Sequence, residues 1–467
     1  MFEPVIGLEV HLALRTQTKL FCGCATSFGA EPNVNTCPVC LGLPGTLPLL
    51  NEHALELALA FASALSCQIP PVTYWHRKHY FYPDAPKNYQ LSQDDVPVGA
   101  NGFIDIPGGR RIGITRCHLE EDAGRLVHPA YADHSLVDLN RAGSPLIEMV
   151  TEPDIRSADE ARDFLVEVRG IAQALGVSDA APEEGKMRAD VNISLHLPDQ
   201  PYGTKVEVKN LNSFRSVAAA IEFETKRQAQ LLEAGRTINQ ETRGWNEGGQ
   251  KTYLMRTKET AADYRYLRDP DIPRVFISDA KQAAVRATLA EKPAEKSARF
   301  VAAGVRASDA RLIAYDVDAA SFFDAALADY AGDAQTVANW MAEVTGRLHA
   351  AEQSLAGSAL TPRNLVRLMV LVDDGTISVT AAKELLADVV NGEDPDALVA
   401  ARGLAQVSDE SELGAMVDAV LAANPDLVER VRANPKAINA LLGKVMQATK
   451  GAAKPDLARR LIEERLG

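Results

Sequence analysis

Gly7-Leu8-Glu9-Val10-His11-Leu12 is the stretch on which the fold turns. Alternation with period two sends Leu8, Val10 and Leu12 to one side of a strand and Glu9 and His11 to the other. Arg188-Ala189-Asp190-Val191-Asn192-Ile193-Ser194 splits the same way, giving Arg188, Asp190, Asn192 and Ser194 a shared polar side. Lys205-Val206-Glu207-Val208-Lys209 repeats the pattern. A half-buried antiparallel sheet explains any one of these strands by plain solvent-facing charge. Together they hold more compact acid/base and metal-binding groups, His11, Asp190, Asn192 and Glu207, than solvation requires.

Just downstream, Cys22-Gly-Cys24 and Cys37-Pro-Val-Cys40 place four thiols within nineteen residues. Four thiolates suit the tetrahedral shell of a structural zinc ion. A redox dithiol is the competing reading, but it needs one pair and this segment has two. A third segment, Arg116-Cys117-His118-Leu119-Glu120-Glu121-Asp122-Ala123-Gly124, sets three carboxylates in a row beside a histidine. Packed acids repel unless a cation sits among them, and hard oxygen ligands suit magnesium, which commonly accompanies phosphates. An exposed acidic turn would look the same. Register is open by one residue, so the sequence does not choose between Glu120 and Glu121.

The 467 residues are enough for several domains, and a net charge of −14 argues against general coating of nucleic acid while allowing a local basic patch. Met1-Phe2-Glu3-Pro4 has no basic or long apolar character and no apolar run approaches about 18 residues, so a soluble, cytoplasmic protein without a secretory signal is expected. Cys67 and Cys117 alone lie outside the cluster, which is not a disulfide framework. Near residue 290 the chain changes character. Before it, short β-like runs alternate with Gly, Pro and Asn turns; after it, Ala-rich helical periodicity dominates. The expectation is an α+β domain over 1–290 built on an antiparallel sheet, a helical domain over 291–400 and a helical tail over 401–467. Helices are expected over Asn51 to Leu65, after the capping box Ser157-Ala158-Asp159-Glu160, and from Ser213 through Leu231.

No P-loop or Rossmann glycine fingerprint is present, since Gly185-Lys186-Met187 and Gly443-Lys444-Val445 lack the following Ser or Thr. Nucleotide contacts would fall to blocks where cations alternate with rings: Arg77 to Asp84, Lys87 to Gln90, Met255 to Glu259 and Asp263 to Tyr266.

At these blocks the chain closely resembles the family of B subunits of the aspartyl/glutamyl-tRNA amidotransferase. The resemblance runs end to end: Ile6 to His11, Cys37 to Gly45, Arg77 to Gln90, His118 to Gly124, Asn140 to Gly143, Glu148 to Asp154, Lys186 to Ser194, Glu207 to Phe214, Asp263 to Pro273 and Asn434 to Pro455. One departure is Tyr264-Arg265-Tyr266-Leu267-Arg268, where the family commonly has Tyr-Arg-Tyr-Phe-Pro.

The resemblance implies a ligase component with a cradle-like catalytic domain. It would bind misacylated Glu-tRNA(Gln) or Asp-tRNA(Asn), phosphorylate the side-chain carboxylate with ATP and Mg2+, and amidate it with ammonia. The ammonia would come from the amidase component, the A subunit; a small C subunit completes the heterotrimer. Glu9, His11 and Glu121 are implied as magnesium or active-site ligands. Asp190 and Glu207 join them by the strand-face argument. Lys78, Tyr80, Tyr82, Lys87, Arg256 and Lys258 are the candidate ATP contacts, and Cys22, Cys24, Cys37 and Cys40 the zinc ligands. From Arg430 to Arg460 eight basic residues face one acidic one, a local net of +7, so Lys436, Lys444, Lys450 and Lys454 are expected to meet tRNA phosphates. A tRNA-binding scaffold with purely structural metals is the alternative. Which of the two tRNAs is the substrate is not written in the sequence.

Overall fold

The computed structural model describes residues 2–257, 264–404, 410–434, 437–449 and 453–466. The chain divides into two units, Met1–Pro293 and Ala294–Gly467. In the first, eight strands form one sheet: β1 (Glu3–Ala13), β2 (Gly99–Asp105), β3 (Arg111–Glu121), β4 (Pro145–Thr151), β5 (Met187–His196), β6 (Val206–Lys209), β7 (Glu241–Asn246) and β8 (Lys251–Thr257). Their order across the sheet is β8-β7-β6-β5-β1-β4-β3-β2. Strand β1 lies inside, with Glu9 opposite Asp190 and His11 opposite Arg188 on β5, and His11 opposite Glu148 on β4.

Three helices cover the apolar face: α1 (Glu52–Ala64), α2 (Ala158–Ala174) and α3 (Phe214–Glu233). Each begins where a side chain takes up an otherwise unpaired backbone N–H. Asn51 accepts from Ala54 at 3.2 Å, Ser157 from Glu160 at 3.1 Å and Ser213 from Ser216 at 3.0 Å. The capping box is shifted: the Glu160 carboxylate accepts from the N–H of Arg156, one residue before the cap. Leu8, Val10, Leu12, Val191, Ile193, Ile147, Met149, Cys117 and Leu119 are buried in one core with Phe61, Phe164 and Val217 of the helices. The alternation expected for β1 and β5 is therefore a division between core and open face.

The sheet is mixed, not antiparallel throughout. Val208 of β6 runs parallel to Arg243 of β7. Parallel neighbours cannot be joined by a tight turn, and α3 supplies the crossover. A separate three-stranded sheet, in the order Leu267–Arg268, His76–His79, Tyr89–Ser92, stands beside β3. It is tied there by Trp75, whose indole N–H donates to the Leu119 carbonyl at 3.2 Å, and by Gln93, which accepts from the Leu119 N–H at 2.9 Å.

In the second unit every described element is a helix. One core gathers Phe300, Phe323, Trp340, Leu365 and Leu385; another gathers Leu413, Val417, Leu441, Val445, Leu461 and Ile462. Among the described residues no helix is long and apolar enough to cross a membrane.

Candidate active site

The face of the sheet away from the helices holds two groups of metal-competent side chains that meet on β1, the second of them largely buried. The first is Glu9, Asp190 and Glu207, whose carboxylate oxygens lie within 4.8 Å of one another. Register produces it: Glu9 pairs with Asp190, and Asn192, two residues along β5, pairs with Glu207. Asn192 Nδ2 donates to Glu9 at 2.8 Å, Thr242 donates to Glu207 at 2.9 Å, and Lys209 Nζ meets Asp190 at 2.5 Å and Glu207 at 3.1 Å. Burial pulls the Lys209 ammonium down, but Asp190 and Glu207 outweigh it and hold the group charged. Among the described residues the buried Asn192 Oδ1 has no hydrogen-bond partner.

The second group is His11, Glu120 and Glu148, again within 4.8 Å. His11, Glu148 and His118 stand side by side on β1, β4 and β3. Both imidazoles bring Nε2 to 3.3 Å from the same Glu148 oxygen. Glu120 is 3.5 Å from His118 and 3.6 Å from Lys78 Nζ, and accepts from Ser92 at 3.0 Å. Burial works against the charged carboxyl of Glu120, yet Lys78 and His118 hold it down at about 2. Glu148 is held well below the usual carboxylate range by His118 and His11 against the same burial penalty. Burial lowers His118, but Glu148 and Glu120 outweigh it and raise it to about 9; His11 is raised as well, chiefly by Glu148. His118 Nδ1 is buried and has no partner, so this site carries a polar atom that nothing in the described residues satisfies.

Glu121 is not part of either group. The pleat turns it away from Glu120, and its carboxylate pairs with Lys87 and accepts from the Leu91 N–H at 3.0 Å. It lies next to the cysteine loop: a Cβ on Gly143 would sit 3.4 Å from Glu121 Oε1 and 3.5 Å from Cys40 Cβ. Lys87 in turn packs over Gly42, where a Cβ would come 2.6 Å from its Cγ, so it is engaged inside the fold and not extended to solvent. Among the other nucleotide candidates, Lys78 reaches the Glu120 group. Tyr80 and Tyr82 lie 5.8 Å apart with Tyr82 exposed. Arg256 falls on β8 opposite Thr242, and Lys258 lies outside the described residues.

Cys22, Cys24, Cys37 and Cys40 bring their sulfurs within 4.8 Å of one another and form no disulfide. Zinc–sulfur bonds of about 2.3 Å in a tetrahedron need sulfurs about 3.8 Å apart, and a quartet gathered within 4.8 Å can close on such an ion. The Cys22 thiol beside it, with Lys19 contributing, lowers Cys40 to about 4. Lys19 is fully buried with Nζ 3.5 Å from Cys40 Sγ and 3.3 Å from the Leu139 carbonyl. A buried cation at this point offsets the negative charge of a tetrathiolate shell.

In the tail, Lys444 is exposed on the helix Ile438–Ala448 and Lys454 is half-buried just before the helix Pro455–Leu466. Lys436 and Lys450 lie outside the described residues. Sequence reasoning did not single out Glu148 or Lys209. The signal for Glu148 was one carboxylate in the apolar run Pro145-Leu146-Ile147-Glu148-Met149-Val150.

Residues 4–283 match the family model described as the GatB/GatE catalytic domain, and residues 321–466 match the one described as the GatB domain. The B subunit of the aspartyl/glutamyl-tRNA(Asn/Gln) amidotransferase of Deinococcus radiodurans is 55% identical over 476 residues, covering 100% of this chain and 99% of the relative. That of one Thermus thermophilus strain is 52% identical over 470 residues, covering 100% of both chains. That of Brevibacillus brevis is 46% identical over 471 residues, covering 99% of this chain and 98% of the relative.

Proposed function

The chain belongs to the family of aspartyl/glutamyl-tRNA(Asn/Gln) amidotransferase B subunits, and on that premise we propose that it carries out the carboxylate-activating step of the complex. It binds Glu-tRNA(Gln) or Asp-tRNA(Asn), transfers the γ-phosphoryl group of ATP to the side-chain carboxylate, and lets ammonia displace the phosphate. The ammonia comes from the amidase component, the A subunit, with a small C subunit completing the assembly. A carboxylate is a poor electrophile, and an acyl phosphate provides the leaving group it lacks.

The observation that carries this reading is the double carboxylate face headed by Glu9 and His11, two residues apart on β1. Glu9, Asp190 and Glu207 would hold one divalent cation and His11, Glu120 and Glu148 another. Magnesium bound there would neutralise charge on the phosphoryl group in transfer. The remaining work falls to the chain itself. Asn192, Thr242 and Ser92 fix the directions of Glu9, Glu207 and Glu120. Lys78 and Lys209 add positive charge to the same face. Tyr80 and Tyr82 offer ring faces to a base, whereas Lys87 contributes only if its pairing with Glu121 opens. Zinc in the cysteine quartet would brace the loop after β1, and the basic tail would track the tRNA backbone.

The test is aminoacyl-tRNA-dependent release of phosphate from ATP by the reconstituted complex. Glu9→Gln and Glu148→Gln should each abolish it. Survival of the activity in both would leave this chain as a tRNA-binding scaffold.

A further inference from the structure

A lysine ammonium is a compact charge on four rotatable bonds, so one ionic contact leaves its direction loosely set. Lys78 has a second contact. Its Nζ lies 5.5 Å from the centroid of the Tyr264 ring, while 3.6 Å from Glu120. The ring is delivered by a segment fastened to the strand that carries the lysine. Leu267 pairs with Arg77 and Arg268 with His76. The Asp269 N–H donates to the Trp75 carbonyl at 3.0 Å, and Arg77 reaches Asp269 at 2.7 Å and Asp271 at 3.2 Å. His79 Nδ1 is 2.9 Å from the Arg265 carbonyl. Between these ties Arg265 adopts φ of +43°, a left-handed conformation that a residue with a Cβ keeps only where its surroundings impose it. Tyr266 braces the arrangement, its ring 6.2 Å from that of Tyr264 and edge-on to His76 at 6.4 Å.

We propose that Tyr264 is a positioning residue for the transfer step, its ring face holding the Lys78 ammonium over Glu120. This rests on the reading of the His11, Glu120 and Glu148 group as the reacting site. The aromatic face does the holding, because a cation is drawn to the ring quadrupole whether or not the ring bears a hydroxyl. Tyr264 therefore acts through Lys78.

The test compares the wild-type complex with Tyr264→Phe, Tyr264→Leu, Lys78→Ala and the Lys78→Ala/Tyr264→Leu double variant in misacylated-tRNA-dependent ATP cleavage. Tyr264→Leu should lower kcat about tenfold while KM for ATP and for tRNA stay within about twofold; Tyr264→Phe should retain wild-type kcat. On the Lys78→Ala background Tyr264→Leu should cost nothing further. Tyr264→Met, flexible and without a ring, reads the same quantity if the leucine variant does not fold. An undiminished effect of Tyr264→Leu without Lys78, or a phenylalanine variant as impaired as the leucine one, overturns the proposal and leaves the reading of the site intact. Full activity of Lys78→Ala overturns the proposal together with the role assigned to Lys78 in the site.

Discussion

Glu120 and Glu121, neighbours on one strand, answer to different cations: Glu120 meets Lys78 at 3.6 Å on the face away from the helices, and Glu121 pairs with Lys87 on the side of the cysteine loop. The pleat makes the division, since consecutive side chains of β3 point to opposite faces. One carboxylate is thereby set among His11, His118 and Glu148, and the other locks the turn that carries Lys87 against β3.

Neutralising the two glutamates should give different outcomes. Glu120→Gln removes a charged oxygen from the metal-competent group and should lower kcat for ATP cleavage by about 100-fold or more, and it should cost stability as well because Lys78 and His118 lose a counter-charge. Glu121→Gln strands the Lys87 ammonium, which is nearly buried, and should cost about 3 kcal/mol of stability. Steady-state kinetics and denaturant unfolding on both variants check the assignment. A loss of kcat confined to folded Glu121→Gln, with Glu120→Gln near wild type, would reverse it.

How much of this face was legible follows from how each strand is buried. β1 and β5 have one buried and one open side, so period two alone put Glu9, His11, Asp190 and Asn192 together. β4 is buried on both sides at almost every position, so its alternation is silent and Glu148 shows only as a charge out of place. For β3 the pattern was present but its register was not, because three acids in a row mark no face. The parallel pairing of β6 with β7 has no local signature either: direction is decided by the path of α3, not by the residues of two short strands.

The cysteine quartet should behave as a brace. Cys22→Ser or Cys40→Ser should lose bound zinc, measured by elemental analysis, and lower the melting temperature before any change in kinetics of the surviving folded protein. Lys19→Met keeps the stem volume and removes the buried cation beside Cys40. It should weaken zinc retention against a chelator by about tenfold. Retention equal to wild type would show that the thiolate charge is balanced by something else.

Charge in the tail should govern tRNA and not nucleotide. Lys444 is exposed on its helix, so Lys444→Glu leaves the core of Leu441 and Val445 untouched. It should raise KM for tRNA several-fold, leave KM for ATP unchanged, and reduce the slope of log affinity against log salt by about one for each phosphate no longer engaged. An unaltered slope would remove Lys444 from the tRNA surface.

On the far end of the sheet, α3 is locked by a carboxylate that helical periodicity puts on the buried stripe of Val217, Ala220, Ile221 and Gln228. Glu224 is fully buried and receives Arg227 through two bonds of 2.8 Å, Thr252 at 2.6 Å, Gln228 at 3.2 Å and Arg243 at 3.3 Å. Arg243 and Thr252 belong to β7 and β8, so one side chain ties the crossover helix to the strands it delivers. Removing the acid leaves two half-buried guanidinium groups with only Glu241 as counter-charge, at a cost of about 3 kcal/mol. Glu224→Gln should therefore lower the denaturation midpoint sharply. If the folded fraction, assayed separately, binds metal at the Glu9 and His11 groups as wild type does, the lock is structural and independent of the site; a loss of metal binding in the folded fraction would instead connect β6, and Glu207 on it, to the position of α3.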